Sequence, residues 1–507
     1  MHETPPNHGP ADNPHSSDRR NHAPARLLGI SFSIVLAALA IFAFTLTTLR
    51  WSEPNRSPLA LAILNLHIID GIVPVALNGL AIIAALYLLV RRVPRSWLAL
   101  EPVLAIITGA AVGVVVLWIV GLTDAFGVDL SVATSAWAIG LFIALALAVW
   151  SIWRSPWPRK LGAVLSIIVF LLTATVGINA DFGLDRTVAD LAGISTSEVT
   201  TLPLLAPIAT PSATASQSAF DTRKPAVALP LWQTWKAPAG MPTTGTTSVV
   251  TIPNTLSGFK SRQAGLYLPP AALGANPPAL PMVIMMMGQP GNPDPSFTAA
   301  VLNDYASRHN GLAPIVLVVD QLGNPAIDPL CIDTPKMGKA ETFVVRDAVN
   351  WARSHLRVQQ DPAHWVVAGY SNGGQCALSF GVKYPSIFGN VLDISGEEYP
   401  GSEFSAQVLA AAFGGNVAAY EAVKPLPIMA RTTYPNTLGI FTVGSNDTAY
   451  RLVALKVSAA ARVANWATTY YEVPNGGHVL GALNGGLTKG YSVLYPRLEL
   501  SAPGVAP

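Results

Sequence analysis

The sequence predicts two parts of different fold class. The front is a multi-pass α-helical membrane domain of about five spans. Behind it comes an α/β domain with a mostly parallel sheet and helices on both faces. Three observations carry this prediction. Only 12% of the 507 residues are charged and 51% are hydrophobic, whereas an ordinary soluble domain is roughly a quarter charged. The apolar excess lies before Asn179. From Ser248 onward, short apolar runs alternate with helical patterns, the rhythm of strand–helix–strand units.

Residues 1–26 are polar and rich in Pro, His and Asn, and read as a disordered cytoplasmic tail. The five spans are Leu27–Leu49, Ile69–Val90, Val103–Gly121, Ala136–Trp153 and Leu161–Ile178. Each is near the ~20 residues a helix needs to cross hydrocarbon. The apolar stretch Leu59–Ile68, bracketed by Pro58 and Asp70, reads as an interfacial or re-entrant piece, or as an extension of span two. Asp70 reads as a helix cap. Span one is too long and too poorly flanked by small residues for a cleaved signal.

Lys and Arg set the orientation. Arg19, Arg20 and Arg26 precede span one, Arg91, Arg92 and Arg95 follow span two, and Arg154, Arg159 and Lys160 follow span four. The other side has only Arg50 and Arg56, with Asp124 and Asp129 in one of its loops. The N-terminus is therefore expected in the cytoplasm and everything after Ile178 outside, at the plasma membrane. The lipid bilayer is the expected partner. A net charge of +2 with no large basic cluster excludes nucleic acid.

Residues 179–245 are rich in Thr, Ala, Ser and Pro and read as a linker, clearest at Pro203–Ser218. Trp232 and Trp235 interrupt it and can dock on the following domain or at the membrane surface. The α/β domain spans 246–500, followed by a tail, 501–507. Its expected strands are Val249–Ile252, Ala264–Leu268, Leu280–Met287, Ala313–Val319, Trp365–Ala368, Asn390–Ile394, Thr437–Val443 and Ala467–Glu472. The expected helices are Phe297–Arg308, Ala340–Leu356, Gly373–Lys383, Ala406–Phe413, Ala449–Ala464 and Leu480–Tyr495.

One motif carries chemistry. Gly369-Tyr370-Ser371-Asn372-Gly373 follows the apolar run Trp365–Ala368 and precedes a helical stretch. G-x-S-x-G in a strand–turn–helix places a serine nucleophile on a strained turn, with Gly369 and Gly373 as the small neighbours it needs. A serine hydroxyl needs a base to take its proton. His478 follows the last strand at the sheet edge where the serine turn opens, and no other histidine is placed to reach Ser371. Asp447, after the apolar run Leu438–Val443, is the expected orienting acid, and the order Ser…Asp…His fits this kind of fold. Glu397 and Glu398 are the alternative acid or contacts to a polar substrate group. The oxyanion donors are expected from the N–H of Asn372 and, in the loop Gly288-Gln289-Pro290-Gly291, of Gln289, because Pro290 has none. Cys331 and Cys376 form an even pair in a domain expected outside, which suggests a disulfide worth roughly 4 kcal/mol. Two buried thiols are the alternative. No metal site, P-loop or dinucleotide motif is present, and no cofactor is expected.

These residues, with Tyr267-Leu268-Pro269-Pro270, Arg346-Asp347 and Pro385-Ser386-Ile387-Phe388, carry a resemblance. Residues 246–495 resemble the α/β-hydrolase superfamily, in its Putative esterase family of esterase-D-like and mycolyltransferase-like enzymes. The five-span front resembles a membrane-anchored actinobacterial subset. The resemblance implies Ser371 as nucleophile, His478 as base and Asp447 as acid. Met287 stands where many hydrolases of this fold have His before the loop glycine. The expected function is a membrane-anchored, extracytoplasmic serine esterase acting on lipidic or cell-envelope esters through an acyl-enzyme. Its rivals are acyl transfer to envelope sugars or lipids, cleavage of aminoacyl esters with Glu397 or Glu398 at the amine, and an inactive membrane scaffold.

Overall fold

Four helices take up the apolar front of the computed structural model, which describes residues 57–90, 100–123, 130–153, 155–192, 196, 199–202, 204 and 229–504. They are α1 (Ile72–Leu89), α2 (Leu100–Thr123), α3 (Val132–Ile152) and α4 (Trp157–Phe182), each long and apolar enough to cross a membrane. Helices suit hydrocarbon because every backbone polar group is paired within the segment. They correspond to the second to fifth expected spans. Helix α4 runs past Ile178 into the stretch read as linker. The span Leu27–Leu49, the tail 1–26 and the bulk of Pro203–Ser218 lie outside the described residues. The stretch after Pro58 forms a short helix, Pro58–Leu64. Asp70 lies 2.9 Å from His67 Nδ1, an ion-pair geometry where a cap was expected.

The chain divides into two compact units. One contains the described residues of Val75–Gly113 and Gly140–Thr173. Its core is Ala84, Leu88, Leu147, Ala148, Ala163 and Phe170. Small residues let these helices approach: a Cβ on Gly109 would sit 2.6 Å from the Ile143 backbone. The Arg159 guanidinium donates to the Leu88 and Val90 carbonyls, 2.8 and 2.9 Å away, at the end of α1. Those carbonyls have no acceptor role left within the helix, so the arginine satisfies them.

The other unit contains the described residues of Ile63–Pro74, Val114–Ile139 and Ala174–Pro507. It is built on eight strands: β1 (Thr246–Val250), β2 (Ala264–Leu268), β3 (Met282–Met286), β4 (Ile315–Val319), β5 (Trp365–Tyr370), β6 (Asn390–Ile394), β7 (Leu438–Gly444) and β8 (Ala467–Val473). Their order is β1-β2-β4-β3-β5-β6-β7-β8. β2 runs antiparallel to β1 and β4, and every other pairing in the sheet is parallel. The central strands β3 to β7 are buried throughout, which is why they read as continuous apolar runs with no alternation.

The principal helices are α5 (Ser296–Arg308), α6 (Asn372–Lys383), α7 (Ser405–Phe413), α8 (Thr448–Val463) and α9 (Leu480–Arg497). Two glycines reveal the layering. A Cβ on Gly381 of α6 would overlap Val391, and one on Gly490 of α9 would meet Leu392. Neighbouring strand residues point to opposite faces, so α6 and α9 cover opposite sides of the sheet. α5 joins α9, with Tyr305 donating its hydroxyl to the Thr488 carbonyl at 2.9 Å. Before β5 a helical run comprises Ala340–Thr342, a π segment Phe343–Ala348 and Val349–His355. There Asp347 accepts the Leu256 and Ser257 N–H groups, both at 3.0 Å, and fixes the chain between β1 and β2. The Trp232 and Trp235 rings pack on the core of this domain. Cys331 and Cys376 are joined in a disulfide. It ties the loop after β4 to α6.

Candidate active site

Parallel register decides where the loops meet. Met286 pairs with Gly369, Tyr370 with Ile394, Ile394 with Thr442 and Gly444 with Val473. The segments that follow β3, β5, β7 and β8 therefore all leave the sheet at one edge, the carboxyl ends of the strands. Gly288, Ser371, Asp447 and His478 sit in those segments.

Ser371 is the hinge between β5 and α6, at φ 56° and ψ −122°. A non-glycine residue in that region is strained and persists only where its surroundings force it. The surroundings are visible. A Cβ on Gly369 would overlap the Gly373 carbonyl, and one on Gly373 would overlap the Met286 carbonyl. Only glycine at both places lets the turn close. Gly374 is just as crowded, since its Cβ would come 2.7 Å from Asp393 Oδ1.

Three expected side chains come together. His478 Nε2 lies 2.8 Å from Ser371 Oγ, and His478 Nδ1 lies 2.7 Å from Asp447 Oδ2. A carboxylate only accepts, so Nδ1 carries the proton and donates to Asp447. That leaves Nε2 to accept the Ser371 hydroxyl. His478 and Asp447 are buried, whereas Ser371 is partly open. Asp447 stands at the N-cap position of α8 but makes no capping bond with its side chain, so its carboxylate is turned to the imidazole. The two loops are laced together: Ser445 N–H donates to the Val473 carbonyl at 2.9 Å and Asn446 N–H to the Gly476 carbonyl at 2.7 Å.

The loop after β3 abuts the serine. A Cβ on Gly288 would stand 3.2 Å from Ser371 Cβ. Gln289 follows it, and the Gln289–Pro290 bond is cis. Asn372 opens α6, where the first N–H groups have no intrahelical acceptor. Gln321 clamps both flanks of this region, donating through Nε2 to the Met287 carbonyl at 2.6 Å and to Asn372 Oδ1 at 3.1 Å.

The two glutamates named as alternatives do not contact His478. The Glu398 carboxylate is paired with Lys456 Nζ at 2.7 Å on the surface. Glu397 is buried and lines a cavity of about 230 Å³ together with Gln289, Asp328, Leu330, Glu403 and Phe404. Burial, reinforced by Asp328 and Glu403, pushes its carboxyl well above the usual range.

With the sheet order and the site geometry in hand, the C-terminal part can be placed. Residues 260–481 match the family model described as Putative esterase. The matched region carries the mostly parallel sheet with helices on both faces expected from the sequence. A curated relative, an uncharacterized protein of Corynebacterium glutamicum, is 32% identical over 248 residues, which are 47% of this chain and 57% of that protein. The chain thus spans little more than half the length of the relative it matches. Among solved structures, a ferulic acid esterase is 16% identical with a TM-score of 0.42, over 51% of this chain and 98% of that one. An S-formylglutathione hydrolase of Agrobacterium tumefaciens is 16% identical with a TM-score of 0.43, over 51% and 97%.

Sequence reasoning missed three features around the candidate site. Two tyrosine rings lie against the imidazole, Tyr450 at 4.0 Å and Tyr370 at 5.4 Å between centroids. A signal existed for both: Tyr370 directly precedes the serine, and Tyr450 follows Asp447 by one helical turn. Gln321 also had a signal, since it follows β4 at the same sheet edge. The acidic cavity had none, because its walls come from segments far apart in the chain.

Proposed function

We propose that the protein is a membrane-anchored serine esterase that hydrolyses carboxylic esters outside the plasma membrane. The observation that carries this reading is the unbroken chain Asp447–His478–Ser371, at 2.7 and 2.8 Å, ending on a strained and partly open serine. In this reading Ser371 Oγ attacks the ester carbonyl as His478 Nε2 takes its proton. Asp447 holds the tautomer and stabilises the imidazolium. The Asn372 and Gln289 N–H groups receive the developing oxyanion. His478 then protonates the leaving alcohol, and a water activated by the same imidazole releases the acid from Ser371. No cofactor has a step in this scheme.

Two observations support the anchored, outward-facing arrangement. The ends of the spans that belong to the compact unit of the esterase domain are the start of α1, the end of α2, the start of α3 and the end of α4. Those are the ends away from the Arg and Lys clusters, and positive charge stays inside. The Cys331–Cys376 disulfide fits an oxidising compartment. Lipid-linked esters are accordingly the nearest substrates.

The test is a fluorophosphonate probe applied to intact cells and to the purified protein. The wild type is labelled in both, while Ser371→Ala shows neither labelling nor ester turnover. Labelling that survives in Ser371→Ala would falsify the assignment of the nucleophile.

A further inference from the structure

The cavity beside Gln289 has a one-sided charge. Asp328, Glu397 and Glu403 face it, and no Lys or Arg is among its lining residues. Buried carboxyl groups are normally paired or hydrogen-bonded. Asp328 accepts the Leu330 N–H at 2.7 Å, and Glu403 accepts the Tyr450 hydroxyl. Glu397 is different. It is only 8% exposed, it lines the cavity, and its carboxyl accepts no hydrogen bond among the described residues. Among those residues no group of three or more such side chains is arranged to hold a metal ion. Such a carboxyl lacks a hydrogen-bonding partner, and the acidic surroundings favour a cationic donor such as an organic ammonium.

The cavity connects to the serine at two points. Gln289 lines it and follows Gly288, which abuts Ser371. Tyr450 donates to Glu403 and lays its ring against His478. The remaining wall is apolar, with Leu330, Phe404 and Val408. At about 230 Å³ the space suits an acyl group the size of an amino acid.

Building on the esterase reading, we propose that the site accepts aminoacyl esters: Glu397 releases its proton to solvent as the substrate ammonium lodges against it, and the Asp328 and Glu403 carboxyls add negative potential. Hydrolysis then releases a free amino acid and an alcohol. Glu397, not Glu398, meets the amine.

The 4-nitrophenyl esters of alanine and of isobutyric acid differ by an ammonium in place of a methyl group. Both are assayed on the full-length protein in detergent at about pH 6, where an α-amine is charged, with uncatalysed hydrolysis subtracted. The expected kcat/KM for the alanyl ester exceeds that for the isobutyryl ester by about tenfold or more, and Glu397→Gln lowers this ratio by about tenfold or more. A ratio taken on one sample does not depend on the fraction folded. A wild-type ratio near unity, or one that Glu397→Gln does not move, overturns the inference. Isobutyryl turnover that depends on Ser371 but shows no charge preference removes this inference and leaves the esterase reading standing. Turnover of neither ester removes both.

Discussion

His478 sits between an acid, a hydroxyl and two aromatic rings, and each neighbour restricts it differently. Asp447 Oδ2 holds Nδ1 at 2.7 Å. The Tyr450 ring, 4.0 Å away between centroids, limits the tilt of the imidazole. Among the groups that hold the imidazole without taking part in the attack, the acid matters most, because Asn at position 447 can donate to Nδ1 and so favour the wrong tautomer. Asp447→Asn is expected to lower kcat by roughly four orders of magnitude while substrate binding changes little, and steady-state kinetics on a nitrophenyl ester checks both. A fall of less than about tenfold would move the acid role elsewhere. That Ser371, His478 and Asp447 meet was legible because each residue type follows a strand-like run on a loop at one sheet edge. The choice of Asp447 over Glu397 was not forced by sequence. All three acids follow apolar runs, and only the turn after β7 brings a carboxylate onto the imidazole.

At the scale of elements, the strand–turn–helix at Ser371 has the closest backbone approach to any glycine among the described residues. Gly369→Ala would drive a methyl group into the Gly373 carbonyl. Backbone cannot step aside as a flexible side chain can, so the substitution is expected to destabilise the domain by about 3 kcal/mol. A thermal melt of the full-length protein would read this as a lower Tm, and an unchanged Tm would mean that the turn is looser than described. Strands bounded by breakers were legible to the residue: β2 is Ala264–Leu268 and β6 is Asn390–Ile394, both as expected. β1 was misread by several residues. It spans Thr246–Val250, where the polar Thr246, Thr247 and Ser248 form its outer half, and an edge strand does not need an unbroken apolar run. The π segment Phe343–Ala348 was invisible for another reason. One extra residue in a turn barely alters the apolar period, yet it re-aims the residues beyond it. Strand order was equally hidden, since nothing local states that β4 lies between β2 and β3.

The molecule as a whole should show a pH dependence set beneath the nucleophile. Asp393 on β6 is fully buried, accepting the Gly396 N–H at 2.9 Å, and burial pushes its carboxyl from 3.8 up to about 7. Between these values the folded protein holds a proton that the unfolded chain has lost. Folded stability from this group is therefore complete below about pH 4 and declines as pH rises toward 7. Thermal unfolding across this window should lose part of its slope in Asp393→Asn, and an unaltered slope would remove Asp393 as the source. The division into a front of long apolar helices and an α/β rear was legible from composition and pattern, because charge and Gly/Pro punctuation change so abruptly along the chain.

The Cys331–Cys376 bond has a practical side. One cysteine sits just past Asp328 and Leu330, and the other lies a turn and a half behind Ser371, so a single pair of sulfurs pins one wall of the acidic cavity to the helix that begins at the serine. Dithiothreitol added during purification would unpin that wall, whereas the hydrogen bonds that join Asp447, His478 and Ser371 do not run through the disulfide. Such a preparation would still react with small probes and yet misreport which esters it prefers, so selectivity is best measured in thiol-free buffer.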